Sequence, residues 1–213
     1  KIPTLSSVQG DIKYVWDKSR FGFFYDIIRY DFHAGVDKSQ LIFDQIQDWI
    51  IQNPVNCGPN WICSQEIGIR LLNWTFALHY YKSAKALDNQ TFQNILNSIF
   101  RQAEHIADNM SFAQHAVRNN HILTESLALY VVGTCYPFFD ESLAWKTKGM
   151  KVFQSEIGMQ IDDAGTYLQH SMNYHRMVVQ LLSWAIRLAA LNGDCWNETL
   201  YEKAKKSVLF LRA

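Results

Sequence analysis

The sequence predicts an all-α protein built of antiparallel helical hairpins, and three observations carry that prediction. Turn-formers are scarce: 10 Gly and 4 Pro stand in 213 residues, where average usage gives roughly 15 and 11. Apolar residues recur every three to four positions over long stretches, the spacing of a buried helix face. No alternating strand pattern competes with that spacing anywhere. A chain of this length has ample apolar material for a thick core.

In chain order, the spacing predicts helices over about 11–34 and 38–52, followed by one whose face is Ile67, Leu71, Trp74, Leu78 and Tyr81. Further helices are predicted over about 91–108, 121–134 and 141–160. The next carries Leu168, Met172, His175, Val179, Leu182, Ile186 and Ala189, and a last one runs over about 197–211. A neighbouring stripe of Ser171, Tyr174, Val178, Leu181, Ala185 and Leu188 makes the Leu168–Ala189 helix apolar over much of its circumference. Such a helix is expected to be buried on two sides, in an inner layer. Short turn signals such as Asn53-Pro54, Arg118-Asn119-Asn120, Asp163-Ala164-Gly165 and Asn192-Gly193-Asp194 separate the helices. Short connections join antiparallel neighbours. No strict repeat supports a solenoid.

Several classes are excluded early. Twenty basic residues balance twenty acidic ones, which speaks against an acidic tail or a basic nucleic-acid binder. No apolar run approaches the ~18 residues of a membrane span. The four cysteines, Cys57, Cys63, Cys135 and Cys195, form no C-x-x-C pair; they read as unpaired thiols, with a small Cys57–Cys63 loop as the alternative. Nucleotide-binding, serine-hydrolase and zincin motifs are missing. Because the chain begins at Lys1 and stops at Arg212–Ala213 inside a helical pattern, it is read as a piece of a longer protein. Rings are plentiful at 14%, which suits a thick core or a ring-lined cleft.

Four loop-to-helix junctions carry polar residues that a plain helical body does not need. Asn60-Trp61 precedes Glu66, Arg70 and Asn73, which share a helix face beside the apolar stripe. These read either as a surface Glu66–Arg70 pair, worth roughly 0.3 kcal/mol, or as the lining of a cleft. Asn119-Asn120-His121 precedes an apolar run, with Glu125 one turn on. Asn is a good N-cap there, while His121 and Glu125 make two metal ligands without a third. Gln169, Ser171, Tyr174 and His175 open the next helix, where a Tyr is commonly core and His175 falls on the apolar stripe. Asp162-Asp163 before Gly165 is either a carboxylate pair of the glycosidase kind or a turn or cap.

In this order the junctions resemble the heparinase II/III-like polysaccharide lyases, a family that includes alginate lyases of the same architecture. The resembling segments are Asn60-Trp61…Glu66…Arg70…Trp74, then Asn119-Asn120-His121…Glu125, then Gln160…Asp163-Ala164-Gly165…Gln169-His170-Ser171…Tyr174-His175. Trp16-Asp17…Arg20-Phe21 and Trp49…Asn53-Pro54 match the opening helices. The order and the separation of 174 − 120 = 54 residues are more specific than any one motif. Two positions depart: many members read Asp-Gly at Ala164-Gly165, and many carry Glu at Gln169. The substrate is therefore not carried over from heparan sulfate or alginate.

The resemblance implies an incomplete (α/α) toroid, a single helical domain over residues 1–213, followed in the parent protein by a β-sandwich that this sequence lacks. It implies β-elimination at a uronic acid, with no cofactor in this domain and any structural metal left to the following one. Asn120 and His121 would neutralise the substrate carboxylate and Tyr174 would be acid and base. Asn60, Trp61, Glu66, Arg70, Glu125, Gln169 and His175 would orient groups or touch sugars. A tyrosine base at neutral pH needs a cationic or donor-rich setting, and His121, His175 and Arg176 are its nearest candidates in sequence. The implied partners are an acidic polysaccharide and the chain's own β-domain, with no nucleic acid and no membrane span. The setting it favours is periplasmic or extracytoplasmic and bacterial, and the isolated piece is expected to be inactive. Two other classes stand beside this one: a non-catalytic glycan-binding or assembly module on the same scaffold, and a toroidal glycoside hydrolase using two of Glu66, Glu125, Asp162 and Asp163.

Overall fold

A computed structural model describes residues 10–212. Among these the chain is helical apart from turns, loops and one isolated bridge between Ile161 and Tyr167. It divides into two compact units, the boundary falling between Gln102 and Ala103 inside a helix.

The first unit holds α1 (Lys13–Ser19), α2 (Phe24–Ala34), α3 (Ser39–Gln52), a 3-10 turn at Pro59–Trp61, α4 (Ser64–Tyr80) and the first part of α5 (Asn89–Phe112). Ile67, Leu71, Trp74, Leu78 and Tyr81 are all buried, as their spacing predicts. Trp74 is the centre of a ring cluster, meeting Trp49 and Phe21 edge-on at centroid distances of 5.3 and 5.5 Å. The helix predicted over 11–34 is two helices. Phe21 takes a left-handed φ of 59° and breaks the run, which lets its ring reach the Trp49–Trp74 cluster. The Asn73 amide holds the break by donating to the Arg20 carbonyl at 2.6 Å.

The second unit holds the rest of α5, a π-helical turn at Ala113–Val117, α6 (Asn120–Cys135), α7 (Ser142–Gln160), α8 (Met172–Asn192) and α9 (Glu198–Arg212). The predicted 91–108 helix thus runs on to Phe112. Helix α6 is buried on every side, without a break from Ile122 to Gly133. It packs closely on α7 because each contributes a glycine at the contact. A Cβ on Gly149 would stand 2.6 Å from the Ser126 carbonyl oxygen and the Tyr130 amide nitrogen, and one on Gly133 would strike the backbone at Ser142 and Lys146.

The expected two-sided burial belongs to α6 rather than α8. Helix α8 buries one face, His175, Val178, Leu181, Leu182, Ala185 and Ala189, with members drawn from both predicted stripes. Leu168 and Met172 are about half exposed, and Leu168 precedes the helix. Residues 161–171 form a loop that the helical period does not register.

Among the described residues, no helix is long and apolar enough to cross a membrane. All four cysteines are free thiols.

Candidate functional site

The start of α6 is built from three successive residues with different tasks. Arg118 closes the π-helical turn at a left-handed φ of 37°. Asn119 is the N-cap, its Oδ1 accepting the His121 backbone N–H at 2.9 Å. That leaves the Asn120 side chain outside the cap. Asn120 is buried and its Oδ1 has no partner. One turn on, Glu125 is equally buried with Oε2 unpartnered; burial pushes its carboxyl up to about 8, so it is protonated at neutral pH. A buried polar atom without a partner costs about 1–3 kcal/mol. Two such atoms lie in the first two turns of this helix.

The start of α8 is reached through the 161–171 loop. Asp162 Oδ1 accepts the backbone N–H groups of Ala164 and Thr166 at 2.9 and 2.7 Å, and Asp163 pairs with Lys203 at 2.9 Å. The two aspartates therefore build the turn and its tether to α9. Gly165 lies against the Lys206 backbone, and Ser207 Oγ donates to the Gly165 carbonyl at 3.0 Å. Tyr174 follows in the first turn of α8 and is 44% exposed, so it is not a core tyrosine. His175 turns the other way, its Nε2 at 2.9 Å from the Ser207 carbonyl and its ring against Phe210. It lines a cavity of about 210 Å3 together with Tyr167, His170 and Ser171. Gln169 has a buried, unpartnered Oε1. Arg176 is exposed.

A polar chain links the two helix starts. Tyr167 Oη donates to Gln160 Oε1 at 3.1 Å, and Gln160 Nε2 donates to Glu156 Oε2 at 2.9 Å. The same Glu156 oxygen lies 3.8 Å from Arg118 Nε. Burial raises the pKa of Tyr167, and the nearby Tyr174 and Glu156 raise it further. The chain thus runs from the turn before Asn120 to the ring beside Tyr174. Sequence reasoning passed over Arg118 as a turn residue and missed Glu156 and Tyr167 altogether. Their signal was polar residues on an otherwise apolar α7 face, where Glu156 and Gln160 flank buried Phe153 and Ile157.

The first unit arranges its predicted residues differently from the spacing argument. Glu66 is buried and pairs with Arg20, whose Nε and Nη2 donate to its two oxygens at 2.6 and 2.8 Å. Of the two readings offered for Glu66 and Arg70, the surface pair does not form, because Arg20 arrives from the α1–α2 break and takes both Glu66 oxygens. Arg70 is fully buried with its guanidinium 4.1 Å from the centre of the Trp49 ring, and burial lowers its pKa to about 9. Asn60 Nδ2 donates to Asn53 Oδ1 at 2.8 Å, and the Trp61 indole N–H donates to the Asn53 carbonyl at 3.3 Å. Among the described residues, no three His, Cys, Asp or Glu side chains are grouped to hold a metal ion.

Comparison with known proteins gives the family and the fold. The family model described as heparinase II/III N-terminus matches residues 6–199. The chain belongs to the heparinase II/III family. Among its relatives, a heparin-sulfate lyase of Bacteroides stercoris is 23% identical over 87% of this chain, and one of Bacteroides thetaiotaomicron is 24% identical over 68%. The chain spans only 27% and 21% of those two proteins. A crystal structure of heparinase III superposes on 91% of the chain with a TM-score of 0.77 at 20% identity, covering 30% of that protein. The likeness shows the fold, an all-α helical toroid domain.

Proposed function

We propose that this chain is the helical domain of a polysaccharide lyase that cleaves a uronic-acid-containing polysaccharide by β-elimination. The observation that carries the reading is the start of α6, where Asn119 makes the cap and leaves the Asn120 side chain, an amide with two N–H donors, outside it. The relatives, which are heparin-sulfate lyases, support the same class of chemistry.

In this reading the substrate carboxylate meets Asn120 and His121 at a helix N-terminus, where the dipole favours negative charge. Donation to the carboxylate makes the neighbouring C5 proton acidic. Glu125, kept neutral by burial, adds no like charge. Tyr174 takes the C5 proton, the electron pair forms the new C4=C5 bond, and the C4–O bond breaks. The tyrosine then returns a proton to the departing glycosidic oxygen. Asn60, Trp61, Glu66, Arg70, Gln169 and His175 complete the proposed set, as sugar contacts or as supports for them. The buried pairing of Glu66 with Arg20 favours support in its case.

The test incubates the full-length protein containing this chain with a panel of acidic glycans. An unsaturated uronate, seen by its ultraviolet absorbance, is expected from at least one of them. Tyr174→Phe should lower kcat by about 10²–10⁴-fold with little change in KM. Saturated new ends would establish hydrolysis instead. An intact fold that yields no unsaturated product from any uronate polymer would refute the reading.

A further inference from the structure

The Asn53–Trp61 segment, the end of α3 and one side of α5 line an open groove of about 680 Å3 that lies wholly within the first unit. Its volume falls in the range of small-molecule sites. Trp61, Asn53, Asn94, Asn97, Ser98 and Arg101 supply its ring, amides, hydroxyl and guanidinium. Among the described residues that line it there is no carboxylate.

The polarity of this wall is set from behind. Arg70 is fully buried, the nearby Glu66 is engaged by Arg20, and Arg70 Nη1 has no acceptor. Two hydrogen-bond relays lead from this guanidinium to the groove. In one, Arg70 Nε donates to Gln102 Oε1 at 2.7 Å and Gln102 Nε2 donates to Ser98 Oγ at 3.2 Å. Ser98 is the acceptor there, so its O–H is left to donate. In the other, Arg70 Nη2 donates to the Asn60 carbonyl at 3.2 Å and Asn60 Nδ2 donates to Asn53 Oδ1 at 2.8 Å. Asn53 spends one N–H on the Trp49 carbonyl at 2.8 Å and has a second to give. Both relays end as donors at the wall, in front of a buried guanidinium whose nearby carboxylate, Glu66, is engaged by Arg20. Arg101 adds a second guanidinium at the exposed side.

We infer that this groove is a binding site for an acidic sugar, holding a carboxylate or sulfate with Ser98, Asn53 and Arg101 while an apolar sugar face meets Pro54 and Val55, beside the buried Trp61. A wall of donors beside positive charge selects an acceptor-rich anion, and the amides of Asn94 and Asn97 suit neighbouring hydroxyls. The choice of a sugar rests on the glycan reading above; the site does not depend on elimination taking place there.

The experiment titrates the whole 213-residue chain carrying Asn120→Ala and Tyr174→Phe, which disable the proposed elimination site. The probes are a glucuronic-acid-containing tetrasaccharide and its carboxyl-reduced counterpart, followed by calorimetry and by the NMR signal of the Trp61 indole N–H. The acidic probe should bind about tenfold more tightly than the reduced one and shift the Trp61 signal. Arg101→Gln, at an exposed position, should abolish that preference, and Ser98→Ala should weaken both probes roughly threefold. Equal affinity for the two probes, an unmoved Trp61 signal, or full preference retained in Arg101→Gln would overturn the inference. Because the readout is binding alone, a chain that binds here but whose parent protein eliminates nothing supports this site and counts against the lyase reading.

Discussion

Glu125 has a pKa in the folded chain of about 8 against an ordinary 4.5, because burial disfavours its charged form. A carboxyl raised in this way binds its proton more tightly when folded. The stability it contributes is complete below pH ~4.5 and is lost as pH rises towards about 8. Glu125→Gln keeps the shape and removes the titration. Melting temperatures followed across that window should fall for the parent by the equivalent of about 1.4 kcal/mol per pH unit relative to the variant. Parallel curves would show that Glu125 is not held protonated. At this scale the sequence was informative about position and poor about partnership. Spacing singled out Glu66 and Arg70, but the partner of Glu66 is Arg20, 46 positions away, brought in by a backbone break with no periodic signature. Adjacent Asn119 and Asn120 are equivalent in a string of letters; only the backbone at residue 119 decides which one caps.

The α6–α7 pair rests on close backbone approach, and the contact is specific enough to test. In Gly149→Ala the new Cβ meets backbone atoms of Ser126 and Tyr130, which cannot swing aside as a side chain would. A loss of about 1–3 kcal/mol is expected, read as a fall in Tm of roughly 2–12 °C. Gly158→Ala, in the same helix, is the control. Its nearest neighbour would be Thr199 Cγ2 at 4.0 Å, so the gain in helix propensity should leave it neutral or about 0.5–1 kcal/mol more stable. Equal effects of the two substitutions would show that the close approach is not what holds the pair. Most helices were legible because burial imposes a period on the sequence. The errors fell where a tertiary contact outweighs that period. Phe21 leaves its helix for the Trp49–Trp74 cluster. Leu168 sits in a loop held by the Gln160 carbonyl, which accepts its backbone N–H at 2.8 Å.

Over the whole molecule, twenty positive and twenty negative charges cancel. A polyanion of the kind proposed as substrate would therefore feel no long-range attraction from the net charge, and its capture would depend on local groups such as Arg101 and Arg118. The association rate with an acidic polysaccharide should change by no more than about threefold between low and physiological ionic strength, measured by stopped-flow. A steep salt dependence would reveal a strong local field that the net charge conceals. The fold class was legible from composition and period together, since few turn-formers and long apolar stripes leave little room for another class. The polar chain from Arg118 to Tyr167 was not, because it joins residues from a turn, a helix and a loop that only folding brings together. The seating of Gly165 on α9 has a consequence for how the chain is made. Its carbonyl is bound by Ser207, 42 positions later. At a synthesis rate of about 5–20 residues per second, the loop leading to Tyr174 emerges roughly 2–8 s before the helix that seats it. During translation the tyrosine is thus made early and positioned late, and the nascent chain carries an unseated loop until α9 has emerged from the ribosome.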